Sequence, residues 1–203
     1  MSSETIHASA QLFVEASPNR PELDDYVSKL EHMGRITPIV QEAVDKARKV
    51  RLGHDVILYI AGPLTGMDEA VKQRYVAVSD LITSKSRHNS TMFGYAPHVH
   101  GTDPVQHPDV TPQEVRDVDY LWSAVIPDGH INFWAPVAHG NAIEAGWAEQ
   151  YDIPSLHLTP DGMTTSRLVR GMHNIIGSLA YADFNSDGLV QIGNFLDHVQ
   201  GLR

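Results

Sequence analysis

After residue 54, short apolar runs alternate with segments in which apolar residues recur every three or four positions. The short runs predict strands at 56–61, 91–96, 131–136, 154–159 and 178–183. The segments between them predict amphipathic helices, with apolar faces at Val71/Tyr75/Val78/Ile82, Val115/Val118/Trp122, 142–151, Leu168/Met172/Ile175 and Leu189/Ile192/Leu196/Val199. Five strand–helix alternations predict a mainly parallel five-stranded sheet between two layers of helices.

The first 54 residues follow a different pattern. Residues 1–20 are polar and aperiodic, and two helical patterns follow them in PELDDYVSKLEHM and TPIVQEAVDKARKV. In the second pattern, Thr37 is expected to cap the helix and Pro38 to occupy its first position. We therefore predict an N-terminal extension of two helices over 1–54, followed by one α/β domain over 55–203.

Composition narrows the class of function. The chain has 203 residues, no cysteine and a net charge of −10, which excludes disulfides and thiol chemistry and disfavours binding to DNA or RNA. No apolar run is long enough for a membrane span, and the N-terminus lacks the pattern of a secretory signal. These features predict a cytoplasmic protein that binds a small molecule rather than a nucleic acid or a membrane.

Ligands of parallel α/β sheets bind beyond the carboxyl ends of the strands. That rule selects the turn after Ala61, the segment after Ala96 and the turn 137–143. The first of these lies in YIAGPLTGMD, residues 59–68, where free backbone N–H groups would bind an anion or a sugar hydroxyl. The alternative is an ordinary strand-to-helix turn, since neither a dinucleotide-binding nor a P-loop glycine pattern is present.

Two further stretches carry acidic residues near these turns. In RDVDYLW, Asp117 and Asp119 are two positions apart on a predicted helix, so only one of them easily lines a site. In HGNAIEAGWA, Glu144 has two interpretations. It completes a capping box with Asn141 at the helix start, or its small neighbours let a ligand approach a carboxylate that the helix terminus keeps ionised.

Together the three stretches resemble one family, the nucleoside 2-deoxyribosyltransferases with the related 2′-deoxynucleoside 5′-monophosphate N-glycosidases. The family patterns Y-[IF]-x-G-[PS], D-x-[DN]-x-L and G-x-x-[YF]-E-x-G-x-A correspond to residues 59–63, 117–121 and 140–148. The resemblance spans about residues 55–160, with the motifs in family order. It implies a flavodoxin-like or Rossmann-like fold that cleaves or transfers an N-glycosidic bond of a nucleoside or nucleotide, as a homo-oligomer and without a cofactor.

The resemblance also implies catalytic roles. Glu144 matches the nucleophile that forms a covalent glycosyl-enzyme, Tyr59 the tyrosine that orients it, and Asp117 the acid that helps protonate the leaving base. The same turns and their flanking residues supply candidate substrate contacts at Gly62, Pro63, Thr65, His98, Asp119, His139 and Asn141.

The chain departs from the family at two positions. Thr65 and Ala138 stand where the monophosphate-cleaving relatives carry Arg and Ser, so phosphate recognition does not carry over, and the adjacent His139 is a candidate substitute. Two other classes of function stay open. The same fold would serve as a non-catalytic nucleoside sensor, or the N-terminal helices would dock a protein partner.

Histidines are frequent, at twelve in the chain, and His98, His100 and His107 lie close together in sequence. Alternate residues of an extended segment face opposite ways, which disfavours shared metal ligation. We therefore predict a rim loop with His98 near substrate and no metal site. The segment 183–188 begins like a calcium loop but carries Asn194 at the position of the bidentate glutamate, and it is interpreted as a turn.

Overall fold

The computed structural model describes residues 19–62, 69–84, 91–102, 107–135, 139–160, 162–180 and 186–202. Its helices are α1 (Leu23–His32), α2 (Pro38–Gly53), α3 (Glu69–Ser84), α4 (Pro97–His100), α5 (Pro112–Tyr120), α6 (His139–Gln150), α7 (Arg167–Arg170) and α8 (Ser186–Gly201). Its strands are β1 (Val56–Ala61), β2 (Met92–Tyr95), β3 (Gly129–Phe133), β4 (Ser155–Thr159) and β5 (Ile175–Ala180).

All five strands are parallel and lie in the order β2-β1-β3-β4-β5. This is the strand order of flavodoxin-like folds, and it confirms the predicted fold class together with the N-terminal helices. In such a sheet the order reverses between β1 and β3, so the carboxyl ends of these two strands flank the expected ligand position.

Strand β1 shows how the sheet separates two hydrophobic cores. Val56, Leu58 and Ile60 join one core with residues of α3 and α8. The alternate residues Ile57, Tyr59 and Ala61 join the other core with residues of α1, α2 and α5. Because both faces of the strand are covered, all six of its residues are buried, which explains the continuous apolar run in the sequence.

The N-terminal helices complete one of the two helical layers. On the face of the sheet that carries Ile57, Tyr59 and Ala61, the connection from β2 to β3 contributes residues of α5, such as Val118, to the core. Residues of α1 and α2 occupy this face and pack in one cluster with Ile57, Tyr59, Tyr95 and Trp122. The buried residues that these helices contribute are Tyr26, Val27, Leu30, Val40, Ala43, Val44, Ala47 and Val50. The extension therefore shares its core with the sheet that carries the candidate site.

Helix α5 begins with the predicted capping box. Thr111 Oγ1 accepts from the Glu114 N–H, and Glu114 Oε2 accepts from the Thr111 N–H at 2.8 Å. The helix continues into one π-helical turn over Leu121–Val125, all of it buried, before β3. Single π-turns are rare and frequently occur near functional sites.

One sequence prediction requires correction. The apolar spacing of Leu168, Met172 and Ile175 predicted a helix, but α7 ends at Arg170, and Ile175 opens β5 in register with Ser155. At α2 the predicted positions are confirmed, since Thr37 is the N-cap residue and Pro38 opens the helix, although the Thr37 side chain makes no capping hydrogen bond. Residues 181–183, the end of the predicted fifth strand, lie outside the described residues.

None of the helices within the described ranges has the length and apolar character needed to cross a lipid bilayer.

The shared core predicts different effects for two substitutions in α2. Val44 is 0% exposed and Leu52 is 90% exposed. Val44→Ala should lower the free energy of unfolding by about 2 kcal/mol, because it leaves a cavity between α2 and the sheet. Leu52→Ala should change it by less than about 0.5 kcal/mol. Urea unfolding of both variants tests this, and equal effects would mean that α2 does not pack on the sheet.

Candidate active site

Glu144 and Tyr59 form the centre of the candidate site. Tyr59 lies in β1 and is fully buried, and its hydroxyl donates to Glu144 Oε1 at 2.8 Å. The Tyr59 ring stacks on Tyr95 at 5.9 Å between centroids and contacts the His130 ring at 5.0 Å. These neighbours fix the phenol, so it holds the carboxyl group of Glu144 in one orientation.

Asn141 determines which way helix α6 presents Glu144. The helix already begins at His139, so Asn141 lies inside its first turn. The Asn141 side-chain amide donates to the Phe133 carbonyl at the end of β3, at 2.9 Å. Glu144 is one turn further along, and its side chain bonds to Tyr59 of the sheet. The capping-box interpretation of Asn141 and Glu144 is therefore wrong.

Asp119 is the acidic residue that interacts electrostatically with Glu144. Thr102 Oγ1 donates to Asp119 Oδ1 at 3.1 Å. Burial raises the pKa of Asp119 to about 7, against the effect of this hydrogen bond. Burial also raises the pKa of Glu144 to about 8, and the charge of Asp119 raises it further, whereas the bond from Tyr59 lowers it. Near neutral pH the two acids therefore do not ionise independently.

Asp117, which the sequence favoured as the acid, has a different set of partners. Its carboxylate accepts from Arg35 Nε at 2.8 Å, from Arg35 Nη2 and from Gln113 Nε2 at 3.2 Å. Its side chain is 1% exposed. The sequence predicts that one aspartate of the pair lines the site. The structure places Asp119 in electrostatic contact with Glu144 and Asp117 in an ion pair with the N-terminal extension.

The turn after β1 is described only at its first residue. Gly62 lies against the ring of Tyr75, where an added Cβ would overlap the aromatic carbons. Packing against Tyr75 is therefore sufficient to explain the glycine at this position. The predicted substrate contacts Pro63 and Thr65 lie outside the described residues.

The two predicted histidine contacts differ in exposure. His98 belongs to helix α4 rather than to an irregular loop, is buried, and packs edge-on against Tyr75 at 5.3 Å between ring centroids. His139 is exposed at the start of α6. Across the part of the chain that the structure describes, no three His, Asp or Glu side chains are grouped so that they could hold a metal ion.

Three buried polar residues of β3 and β4 were not among the candidate site residues selected from the sequence. His130 and Asn132 of β3 are 0% exposed, and His157 of β4 is 3% exposed. Asn132 pairs in register with Ala61 on one side and His157 on the other. Burial lowers the pKa of both histidines to about 4, so their rings are neutral. The sequence signal for these residues is the alternation of polar and apolar positions in HINF (130–133) and SLHL (155–158).

Comparisons with known proteins find no family and only weak structural similarity. No protein-family model matches the chain, and no curated protein matches it significantly. The structure of a CMP N-glycosidase, BcmB, from Clostridium botulinum matches 68% of this chain and 98% of its own, with 16% identity and a TM-score of 0.47. A conserved protein from Enterococcus faecalis V583 matches 73% of this chain and 99% of its own, with 15% identity and a TM-score of 0.45. At these values neither similarity identifies a function.

The raised pKa of Glu144 predicts how stability depends on pH. The folded state holds this proton up to about pH 8, whereas the ordinary glutamate pKa is 4.5. Between these values the folded state binds more protons, so the free energy of unfolding falls as pH rises and stays reduced above pH 8. Glu144→Gln removes this loss, because the amide does not ionise and still accepts from Tyr59.

Denaturant unfolding measured from about pH 5 to about pH 9 tests this prediction. Glu144→Gln should match the wild type at the acid end and exceed it by more than about 1 kcal/mol at the alkaline end, since a pKa difference of one is worth about 1.4 kcal/mol. Glu31→Gln, at an exposed position of α1, is the matched control and should follow the wild type. The same pH dependence in all three proteins would contradict the raised pKa.

Proposed function

We propose that this protein cleaves or transfers the N-glycosidic bond of a nucleoside or nucleotide through a covalent glycosyl-enzyme on Glu144. The observation that carries the proposal is the buried hydrogen bond of 2.8 Å from Tyr59 to Glu144, next to a second acid, Asp119. The resemblance of residues 59–63, 117–121 and 140–148 to the deoxyribosyltransferase motifs supports the same reaction.

In the first step a Glu144 oxygen bonds to the anomeric carbon of the sugar while the bond from that carbon to the base nitrogen breaks. The negative carboxylate stabilises the positive charge that develops on the sugar. Tyr59 favours the ionised form of Glu144 through its hydrogen bond. Burial raises the pKa of Tyr59 well above its usual value, so the phenol stays a hydrogen-bond donor throughout.

Asp119 is the proposed general acid, replacing Asp117. The electron pair of the broken bond goes to the base nitrogen, and the proton of Asp119 goes to the departing base. A pKa of about 7 lets Asp119 carry this proton near neutral pH. The reaction requires that Asp119 is protonated and Glu144 is ionised. The positive charge that develops on the sugar stabilises this pair of protonation states, because it lies next to the Glu144 carboxylate.

In the second step an acceptor releases the sugar from Glu144. Water as acceptor gives a hydrolase, and a second base gives a transferase. The acceptor bonds to the anomeric carbon, the ester bond to Glu144 breaks, and the Asp119 carboxylate takes the proton of the acceptor.

Gly140 and Gly146 flank Glu144 in α6, and an added Cβ at either position would meet no described atom within 4 Å. The packing of the described residues therefore does not require glycine at these two positions.

One observation favours a second candidate, a nucleoside-binding sensor without turnover. A pKa of about 8 keeps Glu144 protonated at neutral pH in the free protein. A protonated carboxyl group donates a hydrogen bond to a ligand but is not a nucleophile. Saturable binding of nucleosides without any product would support the sensor.

A panel of nucleosides and nucleotides, incubated with and without a second free base, tests the enzyme against the sensor. We expect free base, and in the presence of an acceptor base also new nucleoside, detected by chromatography. Glu144→Gln should lower the rate by more than about a thousandfold, because the nucleophile is lost. Glu31→Gln should leave the rate unchanged.

Sedimentation of the same preparation tests the expected homo-oligomer.

A covalent intermediate gives a direct test of the proposed mechanism. Acid quenching during turnover should leave the wild-type chain heavier by one glycosyl group in intact-mass spectra, and Glu144→Gln should carry no added mass. Turnover that persists in Glu144→Gln, or an adduct on another residue, would refute the role of Glu144.

The two acids also predict a pH profile for kcat/KM. The rate should fall at low pH, where both acids are protonated, and at high pH, where both are ionised. Asp119→Asn should lower kcat/KM by about a hundredfold to ten-thousandfold and remove the alkaline limb. The acid limb should move to lower pH, because the loss of the Asp119 charge lowers the pKa of Glu144. An unchanged profile would show that Asp119 is not the acid.

A further inference from the structure

We infer that the N-terminal helices α1 and α2 position Asp119 for proton transfer, through one contact on the helix that carries it and one on its hydrogen-bond partner. The inference rests on the proposed function, and it assigns a catalytic purpose to an extension that precedes the α/β domain.

The first contact holds helix α5. Arg35, in the turn between α1 and α2, binds the Asp117 carboxylate through two nitrogens. The Tyr26 hydroxyl of α1 donates to the backbone carbonyl of Asp117 at 3.0 Å. A forked guanidinium–carboxylate pair constrains direction as well as distance. Both contacts are made to Asp117, two residues before Asp119. They therefore fix the position of helix α5 and its rotation about the helix axis, and with them the direction of the Asp119 side chain.

The second contact holds the partner of the acid. Lys46 of α2 donates from Nζ to the His100 carbonyl at 2.9 Å. Gly101 follows, and an added Cβ there would collide with the Tyr95 hydroxyl, so the backbone passes close to β2. The next residue is Thr102, 5% exposed, whose hydroxyl donates to Asp119 Oδ1. Lys46 therefore anchors the short segment that places the Thr102 hydroxyl on the acid.

The two contacts constrain Asp119 from its backbone and from its carboxyl group. A general acid must hold its proton within hydrogen-bond reach of the leaving atom, and small misplacements are costly to the rate. The Thr102 bond also lowers the pKa of Asp119 against the effect of burial. The titratable groups that the Asp119 charge affects are Glu144, Tyr59 and Tyr95. The substitutions that test the inference replace none of these three residues.

Carboxyl-carbon NMR of the full-length labelled protein tests the positioning without any substrate. Thr102→Val removes the donated hydrogen bond and should raise the pKa of Asp119, whereas Thr102→Ser should restore it. Lys46→Met should raise that pKa as well, because the segment bearing Thr102 is released. Lys49→Met removes the same charge from an exposed position of α2 and should have no effect. An Asp119 titration that is the same in Lys46→Met and Lys49→Met would overturn the role of Lys46.

Kinetics with two leaving groups tests the purpose of the positioning. A nitrophenyl glycoside departs without protonation, whereas the nucleoside of the same sugar needs the acid. Lys46→Met and Thr102→Val should lower kcat for the nucleoside about tenfold or more, with little change in KM and little change for the nitrophenyl glycoside. Equal losses on both substrates would show a merely structural role and overturn the inference.

The Arg35 contact needs a variant that still folds, because Arg35→Met alone would leave Asp117 charged, buried and without its main partner. The double variant Arg35→Met/Asp117→Asn removes the pair and avoids that penalty. It should show the same selective loss on the nucleoside, and an equal loss on both substrates would overturn this contact.

The proposed function and the inference fail in distinguishable ways. Should the wild type turn over no substrate in the panel, the proposed function falls, while the NMR titration still decides whether α2 controls Asp119. Should the wild type be active and Asp119→Asn be selectively impaired on the nucleoside, the proposed function stands. Variants of the two contacts that then match the wild type would overturn the inference alone.

Discussion

The hydrogen bond between the Tyr59 hydroxyl and Glu144 Oε1 joins the first strand of the sheet to helix α6, and both side chains are buried. A carboxyl group in such a place is unfavourable when ionised, and the nearby Asp119 adds to that cost. Two apolar side chains in place of these acids would make the fold more stable. Buried acids with shifted pKa values cluster at functional sites, which is why this pair forms the centre of the candidate site.

The surrounding structure is arranged so that this pair stays in place. Tyr59 belongs to the core formed with α1 and α2, and its ring is held between Tyr95 and His130. Helix α6 is tied to β3 by the bond from Asn141 to the Phe133 carbonyl. Tyr59, Asp119 and Glu144 thus lie on a strand and on helices, the elements that give a site its most precise geometry.

How far the sequence predicts this arrangement depends on the range of the interactions. The buried strand β1 is evident from its apolar run, and Glu144 and Tyr59 are evident from local motifs. The choice between Asp117 and Asp119 is not, because Arg35 is 82 positions from Asp117 in the chain. Ile175 was assigned to a helix because the spacing of three apolar residues does not separate a short helix and a strand start, and pairing with Ser155 decides it.

The N-terminal helices connect stability with the proposed chemistry. The face of the sheet that carries Tyr59 also carries the buried polar residues His130, Asn132 and His157. Further along the same face, α1 and α2 bury eight residues with Tyr59 and Tyr95. Arg35, in the turn between them, contacts Asp117, and Lys46 of α2 contacts the segment that leads to Thr102. One extension therefore provides both apolar burial on this face of the sheet and polar contacts to the segments that carry Asp117 and Thr102.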